Sequence, residues 1–287
     1  MCELMGLSFE RPLSAAFSIS TFAQRGDENP DGWGLAWYPD RAAAIVKEPV
    51  KWGESRFARF LEADSALRSS LYIAHVRHRT VGDAPTYADT HPFGRERDGR
   101  EYCFAHNGTL QGEIWALPTG RYTPLGLTDS ERGFCHLLHR LDGRGGVLDD
   151  EGSWRWLHGE LARLNTFGKF NTLFSDGSHL FCYHDLGGWK GLTFRPLALD
   201  NEKHRHLRDE TVHLNLETGT VNRGFVIATC PLDNAPWNPF HVGELIVFRD
   251  GIARFSSHRD VAAAEFLLDE STSSAPDPAS DRPGDDG

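Results

Sequence analysis

The stretch FNTLFSDGSHLFCYH, residues 170–184, indicates the fold class of this 287-residue chain. Aromatic and other apolar residues fill both halves of the stretch, and an Asp-Gly pair at 176–177 separates them. Asp-Gly between two such runs is the strongest short-range signal for a β-hairpin, because both residues tolerate the positive φ angles of a tight turn. A second Asp-Gly pair, at 250–251, joins the runs 244–251 and 252–257. The sequence therefore predicts antiparallel sheets.

Apolar residues with helical spacing are confined to a few segments. Residues 54–63 and 153–165 space their apolar side chains three and four positions apart, as an amphipathic helix does. Residues 128–141 begin with a threonine and have Glu131 three positions later, which predicts a capping box at a helix N-terminus. Residues 258–270 are a candidate for a last helix.

Strands outnumber helices along the whole chain. Further strand-like runs lie at 69–78, 101–107 and 223–229, and no internal repeat or linker divides the sequence. We therefore predict one α+β domain over residues 2–270. Residues 271–287 are rich in Ser, Pro and Asp, a composition that predicts a disordered acidic tail.

The charge and the cysteine pattern exclude several classes of protein. A net charge of −11, from 30 basic and 41 acidic residues, argues against nucleic acid or an anionic membrane as the main partner. No apolar run approaches the length of a membrane span, and no signal peptide is evident. The five cysteines are scattered and form no C-x-x-C motif, so we expect neither a disulfide framework nor a zinc site. This pattern favours the cytoplasm.

A cysteine directly after the initiator methionine has two interpretations. Cys2 can belong to a buried first strand, since residues 2–9 roughly alternate and a free cysteine behaves as a small hydrophobe. Alternatively, removal of Met1 leaves Cys2 with a thiol and a free α-amine. An unperturbed α-amine has a pKa of about 7.7–8.0, so it can serve as a base near neutral pH. A nucleophile that carries its own base is a known catalytic arrangement.

Four other motifs carry chemistry only when they are taken together. Each has an ordinary structural interpretation: a turn for NPDGWGLAWY (29–38), a solvated arginine in AHVRHRTVG (74–82), a hairpin turn for AHNGTL (105–110) and a helix cap for TDSE (128–131). The Asn-Gly pair is also a ready source of two hydrogen-bond donors for an oxyanion.

The combined pattern resembles the class II glutamine amidotransferase domain of the N-terminal-nucleophile hydrolase superfamily. The resemblance is closest to the stand-alone YafJ-like group and covers residues 2–255. It rests on the order Cys2, Asp31-Gly32, Arg77-x-x-Thr80, Asn107-Gly108 and Asp129. It implies a four-layer αββα sandwich, in which two stacked antiparallel sheets are flanked by helices.

The resemblance implies a reaction and the residues that perform it. Cys2 would attack the γ-carboxamide of glutamine, with its own α-amine as the proton shuttle, and glutamate and ammonia would be the products. The Asn107 side chain and the Gly108 backbone N–H would form the oxyanion hole. Such a site needs a nucleophile, a base and oxyanion donors, and these residues supply all three. No cofactor and no metal are expected.

The resemblance also assigns the amino-acid head group of the substrate. Arg77 would bind the α-carboxylate with help from Thr80, and Asp129 would bind the α-ammonium group. Two residues depart from the family pattern: His78 stands where many members have Trp or Tyr, and Val81 stands where some have His. Val81 cannot donate a hydrogen bond to a carboxylate.

Alternative functions remain open at this point. A γ-glutamyl amide or dipeptide hydrolase, as in ergothioneine biosynthesis or glutathione degradation, needs the same nucleophile and head-group residues. A metal hydrolase could use His75 and His78, but on a strand these side chains face opposite sides. A silent binding module would not need the complete set of motifs. The sequence contains no P-loop and no synthase domain, so any enzyme that accepts the ammonia would be a separate subunit.

Overall fold

The computed structural model describes residues 2–18, 31–63, 67–77, 86–199, 205–208, 213–217 and 222–266. The predictions for His78, Thr80 and Val81, and for the tail over residues 271–287, lie outside these ranges.

Strands dominate the described part of the chain. In chain order they are β1 (Glu3–Ser18), β2 (Trp33–Trp37), β3 (Ala44–Glu48), β4 (Arg68–Val76), β5 (Phe93–Arg97), β6 (Arg100–Leu110), β7 (Gly168–Ser175), β8 (Leu180–Tyr183), β9 (Thr193–Leu199), β10 (Arg205–Arg208), β11 (His213–Glu217), β12 (Asn222–Ala228), β13 (Asn238–Pro239), β14 (Leu245–Arg249) and β15 (Ile252–Ser256). The α-helices are α1 (Arg56–Ala63), α2 (Asp129–Arg144) and α3 (Glu151–Asn165).

The strands form two antiparallel sheets, which we name sheet A and sheet B. Sheet A has the hydrogen-bonded order β13-β9-β12-β1-β4-β2-β3, and β11 pairs with both β1 and β10. Sheet B has the order β15-β14-β8-β7-β6-β5. The long strand β1 lies between β12 and β4, so the start of the chain is at the centre of sheet A.

The alternation of side chains along β1 fixes the layers. Met5 and Leu7 belong to a core that includes residues of α1, on the outer face of sheet A. Leu4 belongs to a second core, which contains residues of both sheets. A third core joins sheet B to α2 and α3. Because successive strand side chains point to opposite faces, β1 contributes to two cores at once. The result is the predicted αββα sandwich.

Most of the predicted elements are confirmed. Asp250 (φ 52°) and Gly251 (φ 68°) form the two-residue turn between β14 and β15. The pair at 176–177 lies in a slightly longer loop between β7 and β8. The three helices predicted over 54–63, 128–141 and 153–165 all form.

The capping box of α2 is only half formed. Thr128 accepts a hydrogen bond from the Glu131 N–H (3.1 Å), as predicted. The Glu131 carboxylate does not return to the cap. It accepts instead from the N–H groups of Leu125 (3.0 Å) and Gly126 (2.7 Å) and pairs with Arg95. The tertiary partners of a buried carboxylate therefore outweigh the local motif.

Two local predictions are wrong. Residues 258–263 of the last predicted helix are not helical, and a single 3₁₀ turn follows them at Ala264–Phe266. Residues 107–108 are not a hairpin turn, because β6 continues through them and pairs with β7 as far as Leu110. Long-range pairing with β7 overrides the local turn preference of Asn-Gly.

Gly34 on β2 has no room for a side chain. An added Cβ would lie 2.1 Å from the backbone oxygen of His91 and 2.8 Å from Pro92 Cδ. The segment that enters β5 therefore crosses directly over the inner face of sheet A. We expect Gly34→Ala to lower the free energy of unfolding by about 1–3 kcal/mol, measured by urea denaturation, because overpacking displaces backbone.

Gly53→Ala is the matched control for this substitution. An added Cβ at Gly53 meets no atom within 4 Å, so the free energy of unfolding should change by less than about 0.5 kcal/mol. Equal stabilities of the Gly34→Ala and Gly53→Ala proteins would contradict the close approach.

Candidate active site

The register of sheet A brings three of the sequence motifs together at one end of the sheet. Val76, the last residue of β4, pairs with Glu3 on one side and with Trp33 on the other. The residues just beyond these pairs are therefore neighbours, and the Arg77 N–H donates to the Gly32 carbonyl (2.8 Å). Cys2 precedes Glu3 on the other side of β4.

Asn107 connects this end of sheet A to sheet B. Its side-chain Nδ2 donates to the Cys2 carbonyl oxygen (2.5 Å), although the two residues are 105 positions apart. Asn107 is fully buried, and its Oδ1 has no hydrogen-bond partner among the described residues. An amide nitrogen carries two hydrogens, so the Cys2 carbonyl uses only one of them.

Gly108 follows directly on β6, where no side chain can be accommodated. An added Cβ would lie 2.0 Å from the Lys169 carbonyl oxygen and 2.5 Å from His106 Nε2. The strand β7 and the ring of His106 therefore approach the backbone at Gly108 directly. This explains why the motif requires glycine on steric grounds alone.

His106 attaches β6 to the start of α2. Its Nδ1 lies 2.8 Å from Ser130 Oγ, and its Nε2 lies 3.0 Å from the Lys169 carbonyl oxygen. A carbonyl can only accept, so Nε2 carries the proton and Ser130 donates to Nδ1. Burial lowers the pKa of His106, although the Asp129 carboxylate opposes this effect. The ring is therefore a neutral connector between the two elements.

Asp129 lies in the first turn of α2 and faces the end of β6. Its Oδ2 accepts from the Leu110 N–H at 2.5 Å, and the residue is half-buried. Among the described residues, its other carboxylate oxygen has no hydrogen-bond donor. Together with the contacts of His106, this bond fixes the position of α2 relative to Asn107.

Arg77 holds a buried group that the described residues leave unsatisfied. Its Nη1 is buried and has no hydrogen-bond partner in the described part of the chain. Leaving a buried charged donor unpaired is costly, so an anion placed here would be stabilised. This is the behaviour expected of a carboxylate-binding arginine.

Two buried histidines adjoin Arg77, and sequence reasoning gave neither a role here. The rings of His75 and His91 lie 4.3 Å apart, and none of their nitrogens has a partner among the described residues. Burial, with a smaller effect of Arg77, lowers the pKa of His75 to about 3, and burial also lowers the pKa of His91. Both rings are therefore neutral near pH 7. Lys47 fixes the His91 segment by donating to the Thr90 carbonyl (2.6 Å).

A loop that sequence reasoning missed reaches Cys2 from sheet B. Lys190 Nζ lies 3.2 Å from the Cys2 carbonyl oxygen. The loop is organised by Asp185, whose carboxylate accepts from Asn165 Nδ2 (2.8 Å) and from the N–H groups of Phe170 (2.8 Å) and Trp189 (3.0 Å). No motif in the sequence identifies these residues, because each contact joins separate elements.

The structure thus brings together five of the six predicted site residues at one end of the sandwich. Cys2, Arg77, Asn107, Gly108 and Asp129 lie on segments connected by the contacts above, and Thr80 lies outside the described residues. No group of three His, Cys, Asp or Glu suited to a metal occurs within the described ranges. None of the five cysteines forms a disulfide bond.

Comparison with known proteins identifies the family. The family described as "Glutamine amidotransferases class-II" matches residues 1–271. The chain belongs to the class II glutamine amidotransferases. A relative from Escherichia coli, YafJ, named as a candidate glutamine amidotransferase, is 33% identical over 258 residues, which cover 86% of this chain and 97% of YafJ. An uncharacterized protein of Methanocaldococcus jannaschii is 39% identical over 261 residues, covering 90% of this chain and 72% of that protein.

A solved structure supports the same family. The crystal structure of a predicted glutamine amidotransferase from Pseudomonas aeruginosa matches with a TM-score of 0.71 and 29% identity, covering 88% of this chain and all of that one. The predicted N-terminal-nucleophile hydrolase sandwich of this amidotransferase is confirmed. In the described part of the chain, none of the helices has the length and apolar character needed to cross a bilayer.

The Asp185 carboxylate should contribute stability that depends on pH. Burial raises the pKa of Asp185, but hydrogen bonds from Trp189, Asn165 and Phe170 outweigh burial and hold it below its usual range. A lowered pKa stabilises the fold above the unfolded value of about 3.9, and this contribution is lost as the pH falls further. We expect Asp185→Asn to lower the free energy of unfolding by about 1–3 kcal/mol at pH 7 and by less at pH 3.

Urea denaturation at the two pH values measures this difference. The exposed Glu113 provides a control, since Glu113→Gln removes one charge without removing a buried acceptor. A loss of stability for Asp185→Asn that is the same at pH 3 and pH 7 would contradict the role of the ionised carboxylate.

Proposed function

We propose that this amidotransferase hydrolyses the γ-carboxamide of glutamine through a thioester on Cys2 and releases glutamate and ammonia. The observation that carries the proposal is the contact of Asn107 Nδ2 with the Cys2 carbonyl. The Asn107 amide, a hydrogen-bond donor suited to an oxyanion, is thereby held beside a cysteine that becomes N-terminal when Met1 is removed.

In the first step, the α-amine of Cys2 takes the proton of the thiol, and the resulting thiolate forms a bond to the carbonyl carbon of the substrate. The carbonyl oxygen becomes an oxyanion, which the second N–H of Asn107 and the backbone N–H of Gly108 stabilise. The C–N bond then breaks, and ammonia leaves with a proton from the Cys2 ammonium group. Attack of water on the thioester, with the α-amine as the base, releases glutamate and restores the thiol.

Two groups of opposite charge would recognise the substrate head group. The unpaired Nη1 of Arg77 is suited to the α-carboxylate, and Thr80 would assist it. The Leu110 N–H orients the Asp129 carboxylate through Oδ2, and the other carboxylate oxygen is suited to the α-ammonium group. These two contacts leave the γ-carbonyl as the group presented to Cys2.

The fate of the ammonia depends on partners outside this chain. If it is used in a synthesis, a separate synthase subunit would accept it; otherwise the protein is a plain glutaminase. The γ-glutamyl hydrolase alternative uses the same head-group contacts and differs only in the leaving group.

A blocked N-terminus should abolish activity without changing the fold. An uncleavable extension before Cys2 converts the α-amine into an amide, which cannot act as a base. We expect glutaminase activity to fall at least about 10³-fold, as it should in Cys2→Ala, with an unchanged circular dichroism spectrum. Cys230→Ala, which removes the other partly exposed thiol, is the control and should retain activity. Full turnover by the extended protein would refute the mechanism.

The substrate should need both head-group charges. Acetylation of the α-amine or esterification of the α-carboxylate leaves Asp129 or Arg77 unpaired, at a cost of about 2–5 kcal/mol. We therefore expect kcat/KM for N-acetyl-glutamine and glutamine methyl ester to fall by at least about 30-fold. Asparagine should also fail, because its carbonyl lies one methylene short of Cys2.

An ammonia-release assay with matched substrates tests this recognition. Equal turnover of glutamine and N-acetyl-glutamine would contradict the head-group assignment. Faster hydrolysis of a γ-glutamyl dipeptide than of glutamine would retain that assignment and identify the protein as a γ-glutamyl hydrolase.

A further inference from the structure

Lys190 makes a contact with the candidate nucleophile that the proposed mechanism does not use. Its Nζ lies 3.2 Å from the Cys2 carbonyl oxygen and 3.8 Å from Glu3 Oε1. The Lys190 side chain is only 14% exposed, so these contacts are largely shielded from solvent. A lysine ammonium group held beside Cys2 and Glu3, where β1 begins, is therefore part of the surroundings of Cys2.

The backbone around Lys190 is built to hold this side chain in place. Lys190 has a positive φ of 52°, a conformation that is uncommon for residues other than glycine. Its carbonyl oxygen lies 3.1 Å from His184 Nε2, and the carbonyl of the preceding Trp189 accepts from Asn171 Nδ2 (2.9 Å). Asn171 pairs with Asn107 in the sheet, so the same strands position both donors to the Cys2 carbonyl.

We propose that Lys190 is a positioning residue, which fixes the main chain of Cys2 and whose positive charge favours the neutral α-amine and the ionised thiol. The inference rests on the proposed function, because it assigns a role at the same nucleophile. The carbonyl oxygen of a residue lies within a few ångströms of its own nitrogen, so the charge acts on both groups of Cys2 at short range. A nearby cation makes the loss of a proton from each of them easier.

Other charged and titratable groups also surround Cys2. They are Glu3 at the start of β1, Asp31 before β2, His75 on β4, Arg77 directly after β4, His106 on β6 and Cys230 after β12. The two histidines are neutral because burial lowers their pKa values. The Glu3 carboxylate opposes the effect of Lys190, and removal of the lysine would leave Glu3 to act on Cys2 without that counterion. Loss of the lysine charge and the remaining negative charge of Glu3 would each move the ionisation of the Cys2 thiol and α-amine to higher pH.

Lys190→Met tests the inference, since methionine keeps an unbranched side chain and removes the charge. We expect the acid limb of kcat/KM against pH to move upward by about 0.5–1 pH unit, given a partly solvated charge at this range. At pH 7, kcat should fall about 3–10-fold while KM changes less than about 3-fold. Lys190→Arg, which retains the charge, should restore the pH profile of the wild type.

A second readout does not depend on the substrate. Iodoacetamide alkylates the Cys2 thiolate, forming a carbon–sulphur bond with loss of iodide, and peptide mass spectrometry reports Cys2 separately from the other cysteines. The midpoint of the alkylation rate against pH should also rise by about 0.5–1 unit in Lys190→Met. If wild-type protein turns over no γ-glutamyl substrate but this shift is found, the proposed function fails and the role of Lys190 at Cys2 is supported.

Lys169→Met is the matched control. The exposed Lys169 places its Nζ 5.2 Å from the Trp189 ring centroid, and Lys190 Nζ lies 5.7 Å from the same ring. Because solvent screens the charge of the exposed Lys169, Lys169→Met should leave both pH profiles unchanged. Unshifted midpoints in Lys190→Met, or equal shifts in the two variants, would overturn the inference. Urea denaturation of each variant identifies any shift that arises from unfolding.

Discussion

The hydrogen bond from Asn107 to the Cys2 carbonyl is the interaction on which the candidate site depends. It joins the residue that precedes β1, the central strand of sheet A, to β6 of sheet B. Asn107 is fully buried and Cys2 is half-buried, so the donor side of the bond is shielded from competing water. A buried amide in low-dielectric surroundings is costly to leave unpaired, which makes the relative position of the two sheets well defined at this point.

Backbone packing around this bond explains the glycines of the motifs. Gly34 allows the His91 segment to cross sheet A, and Gly108 allows β7 and the His106 ring to approach β6. In both places an added Cβ would lie about 2 Å from a carbonyl oxygen. The site is thus assembled where backbones approach most closely, and the side chains that carry chemistry project from these crowded strands.

The electrostatics of the site combine neutral imidazoles with charged side chains of both signs. Burial keeps His75, His91 and His106 uncharged, so none of these three described histidines adds a positive charge beside the guanidinium of Arg77. Asp129 and Lys190 reach the site from α2 and from the loop after β8, where the Asp185 carboxylate organises the backbone. A site with separated charges of both signs is complementary to a zwitterionic amino acid.

The sequence by itself determined the antiparallel sheets, three helices and the motif residues, because hairpin turns, helical periodicity and short motifs are local patterns. It predicted Cys2, Arg77, Asn107, Gly108 and Asp129 as site residues through their order along the chain. Only the tertiary structure decided that Asn107-Gly108 continues a strand and that Lys190 contacts Cys2. It also decided that the Glu131 carboxylate pairs with Arg95 and not with the helix cap. Each of these outcomes depends on a partner far away in sequence, and a local pattern holds no information about which distant group will be adjacent after folding.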